Sequence, residues 1–187
     1  MNPENRVTIA VDAEGGDHAP KEIIRGSLQA VRKTGDSLIL VGHEKKIEKY
    51  LKRIGGSESS VRVVHAPERI EMGDHPAAAI RRKPNSSIVV AAKLVRDGEA
   101  DAFFSAGSTG ASVCVASLIL GRAPGIDRPA IATIMPTIGG HVVLLDAGAN
   151  VDCTVENLLQ FAVMGSVYAR DVLGVANPRV GLLSIGE

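Results

Sequence analysis

The chain has 187 residues, with 21 Lys+Arg against 21 Asp+Glu and a formal net charge of zero. No basic field addresses a polyanion, and aromatics make up 3% with no Trp, so nucleic-acid binding by base stacking is excluded. The two cysteines are too few for a disulfide framework, and no apolar run approaches the ~20 residues that span a bilayer. The length suits one good-sized α/β domain, and the polar start MNPENR lacks a signal peptide, so a cytoplasmic location is expected.

Strand and helix signals alternate along the chain. Val7–Val11 is a short β-branched run, read as the first strand. Pro20 opens a helix to about Lys33, with Ile23, Ile24, Leu28 and Val31 on one stripe, and Asp17 or His18 is expected to cap it. Leu38–Val41 is a second strand, Glu44–Ile54 a charged amphipathic helix, and Val61–Val64 a third strand. Pro76–Arg82 reads as a short helix. Asn85 or Ser86 then caps another that runs through Val95 and ends at Asp97-Gly98. Ala102–Phe104 is a fourth strand, followed by SAGSTGAS and an apolar helix over Val113–Leu120, in which Cys114 packs. Ile131–Met135 and Val142–Leu145 form a hairpin or near-hairpin around Gly139-Gly140. Thr154–Leu173 is a long helix, and Val180–Ile185 a last strand, directly after which the chain stops, as if incomplete at its C-terminus. Buried strands alternating with helices predict a mostly parallel, three-layer α/β/α sandwich.

Ligands in open α/β sheets sit at the carboxyl ends of strands. Three polar, glycine-bearing stretches follow strands in this way: DAEGGDH (12–18), SAGSTG (105–110) and DAGAN (146–150). Parallel neighbouring strands would gather them on one rim. In the second, Gly107 and Gly110 permit close backbone approach, while Ser105, Ser108 and Thr109 supply hydroxyls beside a helix N-terminus, which suits a phosphate. The alternative is that Ser108 only caps the helix and the glycines only allow tight packing. In the first, Gly15 and Gly16 permit unusual backbone geometry. His18 brings an imidazole, a group that can exchange protons near neutral pH; metal ligation by Asp12, Asp17 and His18 is set aside because no second ligand cluster is evident, the aspartates being expected to orient loops and cap helices, so no metal is assigned. In the third, Asp146 fits an Asx-type turn and Asn150 offers an uncharged donor. Cys153 lacks an evident base partner. No GxGxxG, GxxxxGK[ST] or GxSxG signature is present. His43-Glu44 lacks the second His of HExxH. Arg81-Arg82-Lys83, Arg122 and Arg128 are candidates to meet an anion or an acidic partner.

Taken together, VDAEGGDHAP, RRKPNSSIVVAAKLVRDGEADAFFSAGSTGA, GRAPGIDRPAIA, LLDAGANVDC and FAVMGSVYAR closely resemble the PlsX family of bacterial phosphate acyltransferases, from about Val7 to the end. Glu14 departs from the Met common in that family, and family members are considerably longer. The resemblance implies a Rossmann-like α/β/α fold, similar to phosphotransacetylases and isocitrate-dehydrogenase-like enzymes. It implies transfer of a fatty acyl group from acyl carrier protein to inorganic phosphate, giving acyl-phosphate for phospholipid synthesis, with no organic cofactor. It further implies a homodimer and peripheral membrane association. Under it, His18 and Asn150 are the expected contacts of the reacting centre. Gly15, Gly16, Ser105, Gly107, Ser108, Thr109, Gly110 and Asp146 are expected around phosphate or substrate. A coenzyme A-dependent phosphate acyl transfer and an inactive carrier-binding fragment are the alternatives.

Overall fold

The structure, a computed structural model, describes residues 6–56 and 59–184. These residues divide into two compact units, with the boundary between Gly121 and Arg122.

The first unit is a doubly wound α/β domain. Four parallel strands lie in the order β3-β2-β1-β4: β1 (Thr8–Asp12), β2 (Ser37–Gly42), β3 (Val61–His65) and β4 (Ala102–Phe104). The period-two alternation of the strands divides their side chains between the two faces. Val11, Ala13, Leu38 and Leu40 join Ile24, Leu28 and Val31 of α1 (Lys21–Thr34) and Ile47 of α2 (Glu44–Arg53) in one core. Ala10, Ile39 and Val41 meet Ala91 and Leu94 of α4 (Ser87–Arg96) in the other. A third cluster joins α4 to Ile80 of α3 (Pro76–Arg82) and to Ala111 and Val115 of α5 (Thr109–Val115), with Cys114 packed against it as expected. The three-layer arrangement is therefore present, with α1 and α2 on one sheet face and α4 on the other.

The strand order has a consequence for function. From β1 the chain proceeds to β2 and β3 on one side, then returns to place β4 on the other side of β1. The order reverses between β1 and β4, and a crevice outside the carboxyl ends of strands at such a point is where ligands bind in open α/β sheets.

Local chemistry departs from the expectations at four places. First, α1 begins at Lys21 with Pro20 at its N-cap position and no side-chain cap, so neither Asp17 nor His18 caps it; the His18 carbonyl instead accepts from the Glu22 N–H at 3.2 Å. Second, Ser86 occupies the N-cap position of α4, but its hydroxyl is buried without a partner rather than bonded to the helix. Third, α5 begins at Thr109, not Val113, because the Ser108 hydroxyl accepts from the Ala111 N–H at 3.3 Å and starts the helix there. Its continuation, Ala116–Leu120, widens into a π-helical turn. Fourth, residues 180–184 form no strand, and Ile185 lies outside the described residues. A parallel strand needs a neighbour to take its backbone groups, and Leu182 and Leu183 are about four-fifths exposed.

In the second unit, β5 (Thr133–Thr137) and β6 (Gly140–Leu144) form an antiparallel hairpin, starting two residues later than the apolar run Ile131–Met135 suggests. Pro136 is accommodated because β5 is an edge strand. Next comes α6 (Val155–Asp171), opened by a reciprocal capping box between Thr154 and Asn157. Phe161 is its buried aromatic.

No helix among the described residues is long and apolar enough to cross a membrane.

Candidate active site

Asp12 is the last residue of β1 and is 4% exposed. A buried carboxylate is tolerated only where donors surround it, and two are supplied here. The Ser105 hydroxyl, just past β4, donates to Asp12 Oδ2 at 2.7 Å, and the Glu14 N–H donates to Oδ1 at 3.2 Å. The Gly107 N–H then donates to Ser105 Oγ at 3.1 Å. A three-membered relay, Gly107 to Ser105 to Asp12, thus clasps the loop after β1 to the loop after β4 across the switch point. Two of the three loops expected at one rim are together here, and Asp12 orients them; the third, residues 146–150, belongs to the second unit.

The glycines make this approach possible. A Cβ on Gly15 would stand 2.5 Å from Asp12 Oδ2 and 2.8 Å from Ser105 Oγ, inside both partners of the clasp. A Cβ on Gly107 would lie 3.2 Å from Gly15 Cα, so the loops meet glycine against glycine. Gly16 adopts φ +108° against Ala106, and Gly110 abuts Pro76 at the start of α3. The α3 start is steadied by Asp74, whose carboxylate accepts from Lys83 Nζ at 2.5 Å and from the Glu71 N–H. The Lys83 ammonium, ahead of the Glu71 amide, holds the Asp74 carboxyl below the usual carboxylate range.

Ser108 serves as the N-cap, while Thr109 and Gly110, the first residues of α5, are exposed. The opening N–H groups of a helix have no partner within it. They form a ready donor set for an anion beside the β1/β4 switch point. His18 is exposed in the turn that continues from Gly16.

Asp146 and Asn150 lie in the second unit. Asp146 Oδ1 accepts from the Ile131 N–H at 2.7 Å, and Oδ2 accepts from the Asn150 N–H at 2.6 Å. The Asn150 amide donates to the Pro129 carbonyl at 3.0 Å and to Asp146 Oδ2 at 3.2 Å. The pair thus ties residues 146–150 to the segment before β5; the Asp146 carboxylate reaches the N–H four residues on rather than the one two residues on, so the expected Asx turn is replaced by a wider loop closure. Arg128 donates to the Asp152 carbonyl and Arg122 to that of Asp127, so both brace loops. Cys153 is exposed.

One feature of the rim escaped sequence reasoning. His43, after β2, donates its N–H to Glu14 Oε1 at 3.1 Å, and its ring meets that of His65, at the end of β3, edge-on at 5.7 Å. His65 Nδ1 accepts from the Glu44 N–H at 3.3 Å. The available signal was positional, since each of these residues ends or follows a strand. Among the described residues, no group of three or more His, Cys, Asp or Glu side chains is placed to hold a metal ion.

The chain has an α/β fold of the class seen in phosphotransacetylases. The structure of a phosphotransacetylase from Streptococcus pyogenes aligns with a TM-score of 0.69 at 20% identity, covering 91% of this chain and 55% of that one. The EutD phosphotransacetylase from Staphylococcus aureus aligns at 0.66 and 20%, covering 90% and 54%. The family model described as Fatty acid synthesis protein matches residues 7–187, and the chain belongs to that family, the PlsX family of the motifs above. A Desulforamulus reducens relative named phosphate acyltransferase is 57% identical over 182 residues, covering 96% of this chain and 54% of that protein. A Pelotomaculum thermopropionicum relative of the same name is 57% identical over 179 residues, covering 96% and 52%. The chain spans about half the length of the curated relatives it matches.

Proposed function

We propose that the chain carries the phosphate-holding part of an acyltransferase that moves a fatty acyl group from acyl carrier protein to inorganic phosphate. The observation that carries this reading is the clasp of the Asp12–His18 and Ser105–Gly110 loops over the β1/β4 switch point. The relatives named phosphate acyltransferase supply the reaction class.

In this mechanism phosphate is itself the nucleophile, so no activated serine or cysteine is needed. The N–H groups of Thr109 and Gly110 and the positive end of the helix dipole hold the dianion, assisted by the Ser108 and Thr109 hydroxyls. A phosphate oxygen attacks the thioester carbonyl, the tetrahedral oxyanion collapses, and the C–S bond breaks to release the carrier thiol and acyl-phosphate. Catalysis is by positioning and by charge stabilisation, not by a covalent enzyme intermediate. His18 is assigned to the reacting centre, where it donates to the developing oxyanion or protonates the leaving thiolate. Gly15, Gly16 and Gly107 shape the floor, and Ser105 fixes it through Asp12. Asn150, expected at the reacting centre, and Asp146, expected around substrate, are assigned instead to positioning residues 146–150, because the Asn150 amide is engaged with the Pro129 carbonyl and the Asp146 carboxylate. Supply of acyl-phosphate to phospholipid synthesis, a homodimeric assembly, a cytoplasmic location and peripheral membrane association belong to the same reading.

Incubation with phosphate and either an acyl-carrier-protein or an acyl-coenzyme A thioester tests the donor. Thiol release from the carrier thioester is the expected result. Release from coenzyme A alone would overturn the carrier assignment, and release from neither would contradict transfer by this chain. Because His18 is exposed, His18→Ala is expected to leave the melting temperature unchanged while lowering turnover by roughly 10²-fold or more. Wild-type turnover in the variant would remove His18 from the reaction.

A further inference from the structure

The chain is electrically neutral as a whole, yet α2 is not. It carries five cations, Lys45, Lys46, Lys49, Lys52 and Arg53, against Glu44 and Glu48. All five cations are exposed. At about 100° per residue, they occupy one contiguous arc of roughly 120°, with both glutamates to one side of it. Among the described residues, no ion pair engages Lys45, Lys46, Lys49 or Lys52. Arg53 lies over the Tyr50 ring at 4.8 Å, and its charge remains at the surface.

The stripe is continuous with the site. Its first turn follows His43, whose N–H is bonded to Glu14, and Glu14 adjoins Gly15 and the clasp. The apolar residues of α2 all face inward: Ile47 is fully buried, and Tyr50 and Leu51, with Ile54 just past the helix, pack on the same core. Binding in a lipid interface relies on exposed apolar side chains beside the basic ones, and α2 presents none. A flat, polar, cationic helix face with no apolar anchor instead matches a complementary acidic protein surface, where charge steers encounter and fixes orientation.

We propose that the basic face of α2 docks an acidic protein partner. Resting on the carrier-protein reading above, the docked protein is the thioester donor, which this face holds beside the switch-point crevice.

The test is titration of acyl carrier protein against the wild-type chain and against K45E/K49E/K52E, at low and high salt, with melting curves on both. The wild type is expected to bind at low salt and to weaken as salt rises. The reversal is expected to weaken binding by about tenfold or more at low salt, with an unchanged melting temperature. R81E/R82E, on α3 in the opposite layer, is expected to bind as wild type. Should the glutamate variant fail to fold, K45Q/K49Q/K52Q is expected to show the same loss in smaller degree. Equal binding by wild type and the α2 variant, or loss only in R81E/R82E, would overturn the docking surface while leaving the carrier reading standing. No carrier binding by the wild type would overturn the carrier reading and this inference with it. Phosphatidylglycerol vesicles that lose binding on the reversal, while carrier binding persists, would give the stripe to a lipid surface and overturn the protein partner.

Discussion

Gly15→Ala is expected to destabilise the chain by about 2 kcal/mol, in the range of overpacking a well-filled site, and to weaken phosphate binding by about tenfold or more. The added methyl would stand 2.5 Å from Asp12 Oδ2 and 2.8 Å from Ser105 Oγ. Neither atom can yield without lengthening the hydrogen bond between them, which links residues 93 apart in sequence. Loss of that bond separates the loop after β1 from the loop after β4 and leaves a buried carboxylate with fewer donors, a desolvation cost of about 1–3 kcal/mol that is contained in the expected loss. Gly26→Ala is the matched control. The same atom is added on α1 with nothing within 4 Å, and a stabilisation of roughly 0.5–1 kcal/mol is expected from helix propensity. Thermal melts and phosphate titrations on both variants check the pair; equal effects would show that the clasp does not hold the crevice in shape.

Leu40→Ala carries the largest expected loss of stability, about 3–4 kcal/mol, because a buried leucine leaves both its transfer energy and a cavity behind. Leu40 is fully buried on an interior strand, in the cluster shared with Ile24, Leu28 and Ile47. Leu118→Ala removes the same atoms from a side chain 58% exposed, and a change within about 0.5 kcal/mol is expected. Denaturant unfolding of both variants measures the contrast. A small effect at Leu40 would mean that the sheet core is loosely packed.

What was legible in the sequence was local. Pro76 at the start of α3 and the three-residue run of β4 placed those elements with their observed bounds, because proline geometry and β-branched or aromatic runs act over a few residues. The parallel, layered fold followed from the alternation of strands and helices. The site was half legible. Glycine-bearing loops after strands marked Gly15, Gly16, Gly107 and Gly110, but which loops meet depends on strand order. That order is set by pairing between β1 and β4 across some ninety residues. The Asp12–Ser105 bond and the His43–His65 contact were hidden for the same reason. The last apolar run, ending at Ile185, showed the converse limit. Its residues favour a strand, yet residues 180–184 have none to pair with among the described residues.

The most direct measurement is a crystal structure of the chain grown at saturating phosphate. Tetrahedral density within about 3 Å of the Thr109 and Gly110 N–H groups, with the Asp12–Ser105 bond intact beneath it, is the predicted result. An empty β1/β4 crevice, or phosphate bound only elsewhere on the chain, would contradict it.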